Sequence, residues 1–396
     1  MKRGTGKKRP KKARPMIPIY LDQAATSFPK PPAVAEAMHK ALTESAASPG
    51  RSAHRFSLSA ARVIFEAREL AARLFSVQDS SRIAFTANVT QALNMALLGL
   101  LGPRDHVLTT GLEHNSVMRP LRWLAERRGV EVTVVECSAG GPANPADFAR
   151  LKTSRTRLAV VNHASNVTGV IQPLVEIKAA LGEIPMIVDA AQTAGALPMS
   201  ADGTGADVLA FTGHKALYGP TGTGGLWVSP DLEIEPIFHG GTGSRSEHET
   251  QPDFMPDRLE AGTPNTIGLA GLAAGLDFVL TTGVETIRDR EKRLTALFLQ
   301  GLASVPGLTV YGPPDPDSRV AVVSLNLEGW SPSDLARSLE RDFGIMTRAG
   351  LHCAPRAHRT IGTFPRGAVR FSFGFFNTPE EIDAALEALT RLSRQA

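Results

Sequence analysis

The stretch Asp207-Val208-Leu209-Ala210-Phe211-Thr212-Gly213-His214-Lys215 is an apolar strand that ends in a polar turn closed by a lysine. Upstream, a second apolar strand, Met186-Ile187-Val188, ends in Asp189, with Gln192 just beyond it. A lysine and an aspartate at neighbouring strand ends suit a pyridoxal phosphate (PLP) enzyme. The amine forms a Schiff base with the cofactor aldehyde, and the carboxylate pairs with the pyridinium nitrogen and keeps the ring an electron sink. Taken singly, either residue reads equally well as a surface polar group at an ordinary strand end. Taken together they favour the cofactor.

Working outward, strand-like runs recur at residues 82–86, 107–110, 130–135, 158–162, 186–189, 208–211 and 225–228. Most are separated by segments with helical periodicity, such as 91–101, 117–128 and 174–181. Strands alternating with helices predict an α/β fold with a mostly parallel sheet covered on both faces. The connection 212–224 is rich in Gly and Pro and too short for a crossover helix, so the last strand is expected antiparallel. Ligands of such sheets sit beyond the carboxyl ends of the strands. Thr86, His114, Asn166, Asp189, Gln192 and Lys215 all lie at or just after strand ends, so they can converge.

A helical stretch, 267–299, leads into a second α+β pattern with strands at 308–311, 320–327, 345–348 and 368–373. Ser331-Pro332 opens one helix with proline at its first position. Thr378 and Glu381 have capping-box spacing at the start of the last. The expected organisation is a basic tail at 1–16, an N-terminal arm and large domain at 17–279, and a smaller C-terminal domain at 280–396.

The 396 residues suffice for two domains, and 42% apolar with 21% charged residues is an ordinary globular composition. The longest apolar helical runs are too short to span a bilayer, so no membrane segment is expected. Residues 1–16 carry eight Lys and Arg and no acid. Those eight charges exceed the chain's net +4, so the remainder carries −4. The tail has no apolar core and is no secretory signal; it reads as a disordered solubilising extension, with contact to nucleic acid or an acidic partner as the alternative. The two cysteines, Cys137 and Cys353, have no metal-type spacing and cannot build a disulfide framework. Free thiols fit a reducing, cytoplasmic compartment.

Site by site, the strand 82–86 followed by Asn88-Val89-Thr90 and a helix offers N–H donors for a phosphate, with Thr90 adding a hydroxyl; a plain N-cap explains the same residues. The run from Gly219 to Gly225 is not a P-loop, since no Gly-Lys-Ser/Thr follows. His114 can stack on a flat ring and transfer protons, or be structural. Asn166 and Gln192 can bond the cofactor's phenolic oxygen or satisfy backbone groups. In Arg348-Ala349-Gly350-Leu351-His352-Cys353-Ala354-Pro355 the cysteine follows a histidine in an electropositive loop that favours the thiolate; a buried, inert cysteine is the alternative. Arg370 can grip an α-carboxylate bidentately, or be solvated.

Several stretches form an ordered set: Leu21-Asp22-Gln23-Ala24-Ala25-Thr26, Glu113-His114-Asn115-Ser116, Val188-Asp189-Ala190-Ala191-Gln192, Thr212-Gly213-His214-Lys215, Glu260-Ala261-Gly262-Thr263-Pro264-Asn265, Arg348 to Pro355, Arg370-Phe371-Ser372 and Phe376-Asn377-Thr378. The set resembles the cysteine desulfurase and selenocysteine lyase group of the class V aminotransferase family, from about Tyr20 to the C-terminus. The resemblance implies PLP fold type I with a seven-stranded sheet, and a homodimer. It implies that Lys215 bonds the cofactor, Asp189 pairs with its ring nitrogen, Gln192 contacts its phenolic oxygen and His114 stacks on the ring. Thr90, Thr212 and His214 would hold the phosphate, and Thr263 would reach the phosphate of the neighbouring subunit. Asn166 and Arg370, with Arg348 nearby, would hold the substrate carboxylate, and Cys353 would take the sulfur of L-cysteine as a persulfide, releasing alanine. No metal enters this chemistry.

Four positions depart from the family pattern: Leu351 for a histidine, Thr212 for a serine, Gln23 for an asparagine and Val89 for a threonine. The first leaves the proton route open. The short loop from Arg348 to Cys353 is like that of the second desulfurase group and reaches outward poorly. Slow turnover is therefore expected without a small thiol or an acceptor protein. The other readings are a selenocysteine lyase, for which Cys353 is dispensable, a class V transaminase or epimerase, and a retired sulfur-pathway scaffold. The residues leave open whether the sulfur serves iron–sulfur clusters, thiolated tRNA, a cofactor or selenium metabolism.

Overall fold

A computed structural model describes residues 18–395 apart from 45, 46, 50, 51, 53 and 139. The reading of 1–16 as a disordered tail falls outside the described residues. Seven strands form one sheet in the order Ile83–Thr86, Gly224–Val228, Val208–Thr212, Met186–Asp189, Thr156–Asn162, His106–Thr110 and Glu131–Val135. Neighbours pair in parallel except Gly224–Val228, which is antiparallel to both partners. The short 212–224 connection produces this exception, because a parallel return needs a longer crossover.

Each central strand is buried on both faces, and its residues alternate between two cores. Val208 and Ala210 point into one core with Val107, Val160 and Ile187, beneath the helices Val89–Leu100 and Asn115–Arg128. Leu209 and Phe211 point into the other with Leu108, Val161 and Val188, against the helices Arg55–Leu74 and Thr266–Thr282. This two-sided burial is why the strands read as unbroken apolar runs. It also leaves only their carboxyl ends free to carry polar chemistry.

The stretch 267–299 is two helices, Thr266–Thr282 and Val284–Leu302, bent by 81°. Gly283, at φ +85°, ends the first, and its N–H bonds the Val279 carbonyl at 3.0 Å. The apolar pattern continues across the break, so periodicity does not register it. Among the described residues no single helix is long and apolar enough to cross a membrane.

A four-stranded antiparallel sheet follows, in the order Arg348–Gly350, Ala368–Ser372, Val322–Leu327 and Leu308–Tyr311. It packs with the helices Val284–Leu302, Pro332–Phe343 and Pro379–Ser393 around Phe298, Leu325, Phe371 and Leu389. Ser331 caps its helix with Pro332 at the first turn, and Thr378 and Glu381 form the capping box. The expected strand 345–348 is split. Ile345–Met346 pairs in parallel with Ile19–Tyr20, whereas Arg348–Gly350 turns into the four-stranded sheet. Thr347 is where the chain leaves one ladder for the other, a long-range choice that local alternation does not encode.

Candidate active site

The parallel strands end in Thr86, Thr110, Asn162, Asp189 and Thr212, so one rim of the sheet is polar. Asp189 is 5% exposed, and its Oδ1 accepts the Ala191 amide at 2.9 Å. Burial holds its pKa above the usual carboxylate range, opposed by the Ala191 amide, the Lys215 cation and Ser116. Lys215 follows the adjacent strand after a tight turn in which Gly213 donates to the Thr223 carbonyl at 2.8 Å. A Cβ on Gly213 would sit 2.1 Å from Thr223 Oγ1, so only glycine fits there. Lys215 is half-buried, and loss of water around its amine lowers its pKa to about 8 against the pull of Asp189. An amine with that value is available as a nucleophile and base near neutrality.

The start of the helix Val89–Leu100 is where the sequence offers either a phosphate site or a plain N-cap. Asn88 is the N-cap; its side chain accepts the Gln91 amide at 3.0 Å. The Ala87 amide is taken by Gln91 Oε1, so Val89 and Thr90 keep first-turn N–H groups for an anion. The glycine run finds its explanation here: a Cβ on Gly224 would meet Asn88 Cα at 2.8 Å, so this strand can approach the helix start only without side chains. Thr212 is buried, its hydroxyl reaching the Thr223 carbonyl at 3.5 Å. His214 precedes Lys215, and its buried Nδ1 has no partner among the described residues. Burial, then the Lys215 and Lys30 charges, lowers its pKa to about 4, so the ring is neutral. Gln192 spends one N–H on the Ala24 carbonyl at 3.2 Å and lines a small pocket with Lys215.

His114 caps the helix Asn115–Arg128, its Nδ1 accepting the Ser116 amide at 3.0 Å. The neutral ring therefore carries its proton on Nε2. Burial and the nearby Lys215, Arg370 and Arg119 charges lower its pKa to about 4. It thus offers a flat face and an Nε2 donor, while Nδ1, its basic nitrogen, is already engaged. Glu113, next to His114 in the chain, is wholly buried. It accepts Thr110 Oγ1 at 2.8 Å and the Asn162 amide at 2.9 Å, tying two strand ends together. Burial raises its pKa to about 8.

Arg348 and Arg370 are directly opposite across the antiparallel pair Arg348–Gly350 and Ala368–Ser372. Like charges so placed repel, and Asp22 offsets this through an ion pair to Arg370 at 2.6 Å. Arg370 is 2% exposed and also donates to the Asn166 carbonyl at 3.1 Å; its Nε has no partner among the described residues. Asn166 donates to the His352 carbonyl at 2.8 Å, and its buried Oδ1 has no partner among the described residues. Asp22 stood in a matching stretch, yet nothing in the sequence linked it to Arg370, 348 positions away.

Cys353 is an exposed free thiol, and Cys137 a partly buried one. Cys353 lines a cleft of ≈ 480 Å³ with His114, Thr90, Arg119 and Trp123. The structure thus brings Lys215, Asp189, His114, Thr90, His214, Asn166, Arg370 and Cys353 to one rim. Thr263 is different: it is exposed in a groove of ≈ 960 Å³ lined by Phe238, Glu260 and Leu269, which Lys215 does not line. The rim fits PLP by its donor set: an amine near neutrality, a buried carboxylate for a ring nitrogen, and an unpartnered His214 nitrogen with free helix amides for a phosphate.

The Aminotransferase class-V family profile matches residues 19–385. The chain is similar to a probable cysteine desulfurase of Methanothermobacter thermautotrophicus, 35% identical over 384 residues, covering 95% of this chain and 94% of the relative. It is 32% identical to the cysteine desulfurase of Salmonella agona over 386 residues, 95% of this chain and 93% of that one. Among solved structures, the apo cysteine desulfurase of Thermococcus onnurineus NA1 superposes with a TM-score of 0.89 at 32% identity, over 99% of this chain and 100% of that one. A cysteine desulfurase of Escherichia coli in its S-sulfonic acid form superposes at 0.84 with 29% identity, over 96% and 95% of the two chains.

Proposed function

We infer from the aminotransferase class-V family, to which the chain belongs, that it is a PLP-dependent cysteine desulfurase acting through a Cys353 persulfide. The observation that carries this reading is an exposed thiol, Cys353, in the cleft lined by His114, whose ring feels the Lys215 charge. A transaminase has no use for a thiol there.

When bound, PLP supplies an electron sink for negative charge developing at the substrate Cα. Lys215 would hold the cofactor aldehyde, Asp189 would face the ring nitrogen, and Gln192 the phenolic oxygen. Thr90, Thr212, His214 and the first-turn amides would take the phosphate. The Arg348–Arg370 pair supports binding of the α-carboxylate, with Asn166 beside it. Lys215, released when substrate binds, takes the Cα proton at its Nζ. His114, neutral and fixed by Ser116, offers its ring face and an Nε2 donor. The Cys353 thiolate then attacks the substrate sulfur. The new S–S bond forms as the Cβ–S bond breaks, the Cβ–S electron pair stays with the three-carbon fragment, and protonation there gives alanine. L-cysteine and the Cys353 thiol thus become L-alanine and a Cys353 persulfide, with no outside oxidant.

The same reading makes the protein a homodimer in which Thr263 reaches the other subunit's phosphate; its support is the exposed position of Thr263 in a groove that excludes Lys215. The persulfide passes its sulfur to a small thiol or an acceptor protein, for which iron–sulfur cluster assembly is one destination. Two free thiols accord with a reducing, cytoplasmic setting. Incubating the PLP-loaded protein with L-cysteine tests the reading: alanine should appear together with one added sulfur by intact mass, both absent in Cys353→Ala. Turnover should rise when a reducing thiol is added. Alanine formation that survives Cys353→Ala would overturn the assignment.

A further inference from the structure

His352 and Cys353 are consecutive non-glycine residues in the left-handed region, at φ +50° and +55°. Each costs roughly 1–2 kcal/mol against a right-handed conformation. Something must hold them. Both carbonyls are pinned by segments that follow strands of the larger sheet: Asn166 Nδ2 donates to the His352 carbonyl and the Asn115 amide to the Cys353 carbonyl, each at 2.8 Å. The third hold is a chain of three side chains outside the reaction site. The His352 ring places Nε2 3.0 Å from the Arg348 carbonyl and Nδ1 3.2 Å from His358 Nε2. His358 Nδ1 lies 2.7 Å from Thr363 Oγ1.

With both rings neutral, the direction of every bond follows. A carbonyl only accepts, so His352 carries its proton on Nε2 and accepts at Nδ1. His358 must then donate from Nε2, and its Nδ1 accepts the Thr363 hydroxyl. The other acceptor near that hydroxyl, the His358 carbonyl, is farther, at 3.4 Å. His358 is 0% exposed and His352 and Thr363 are 7% exposed, so water does not compete. Burial lowers the pKa of His352 to about 3 and of His358 to about 4, in keeping with two neutral rings. All four ring nitrogens are engaged within the chain, leaving none to exchange a proton with Cys353.

We propose that His358, with its tautomer set by Thr363, is a positioning residue that locks His352 and so holds Cys353 in the strained geometry that meets the substrate sulfur. The inference rests on the desulfurase reading and adds to it a residue outside the cleft. It predicts a selective defect. Removing the His358 donor should free the loop and slow sulfur transfer, but leave the Lys215 proton step intact.

The test uses full-length, PLP-loaded wild type, His358→Leu, His358→Gln and Thr363→Val. Glutamine keeps an Nε2 donor for His352, and valine keeps the threonine shape without its hydroxyl. Three quantities are read: single-turnover persulfide formation on Cys353 by mass, exchange of the L-alanine Cα proton in heavy water, and exchange of the Asn115 amide. In His358→Leu, persulfide formation should fall tenfold to about a hundredfold, the scale of an ångström-size misplacement. His358→Gln should stay within about threefold of wild type, Thr363→Val should fall between, and Cα exchange should hold within about twofold. The Asn115 amide should exchange about tenfold faster in His358→Leu as its cover loosens. Unchanged persulfide formation, a parallel fall in Cα exchange, or an unchanged Asn115 amide would each overturn the proposal. If His358→Leu does not fold, Thr363→Val decides by the same three readouts. If the wild type itself forms no persulfide, the desulfurase reading fails, and the Asn115 amide still judges the positioning role.

Discussion

Lys215 and Cys353 both neighbour His114, but they are held there by different means. Lys215 follows a strand whose five residues are all buried, three positions past its end, beside a second buried strand ending in Asp189. Its place follows from sheet pairing and a glycine turn. Cys353 hangs from the edge strand Arg348–Gly350 on two left-handed residues, held by side-chain and backbone bonds from elsewhere in the chain. One group is set by the core and the other by strain and a few polar contacts. The first should resist local change; the second should be easy to disturb without unfolding anything.

The largest effect expected is from Lys215→Ala, which should cut both alanine formation and Cα exchange about 10⁴-fold or more, since the proposed base and cofactor anchor vanish together. Retained Cα exchange would show that the two regions are not divided as described. Cys353→Ala should lower desulfuration about 10³-fold while L-alanine Cα exchange and selenium release from L-selenocysteine stay within about threefold. Loss of all three would erase the distinction.

Asp22→Asn sits between the regions, because it leaves the Arg370 guanidinium, 2% exposed, without its partner anion. Asp22 is itself partly exposed, so the loss of stability by denaturant titration should be about 1–3 kcal/mol, below the figure for a fully buried pair. Gly350→Ala acts on the Cys353 side alone. Gly350 has φ +110° with nothing within 4 Å of an added Cβ, so the cost is pure backbone strain, about 1–2 kcal/mol, read as a several-fold slower persulfide burst.

Glu113→Gln, on the strand-end side, should have the smallest effect on activity and act on the pH dependence of stability. The folded pKa of Glu113 is raised to about 8, so its favourable protonation is complete below the unfolded carboxylate value and is lost as pH rises through 8. Glutamine keeps the shape and lacks this dependence. The melting temperature of the variant relative to wild type should therefore climb between pH 5 and pH 8, by roughly 2–5 °C. A flat difference would mean that Glu113 is ionised in the fold.

The same division explains what the sequence disclosed. Strand ends carrying Asp189, Thr212 and Lys215 are legible because two-sided burial writes an unbroken apolar run and the first polar residue marks its end. The antiparallel last strand is legible because loop length limits topology. The break at Gly283 is not, since the apolar pattern passes through it unchanged. Nor is the divided strand at Thr347, where two distant ladders compete for the chain. Asp22 with Arg370, and His352 with His358 and Thr363, are pairings of side chains set by the finished fold, and no local spacing announces them. His114 was legible as a polar residue between a strand and a helix, but its place in the cleft with Cys353 and its fixed Nδ1 acceptor needed coordinates.

Arg348–Gly350 is the outermost strand of its sheet, three residues long, with a partner on one side only. Residues added beyond its end disturb no second ladder, and the entropic cost of a longer loop grows only logarithmically with its length. Under the proposed desulfurase reading, the radius over which Cys353 can deliver sulfur is therefore an adjustable dimension of this architecture, open to lengthening by insertion while the strand end that carries Lys215 stays fixed.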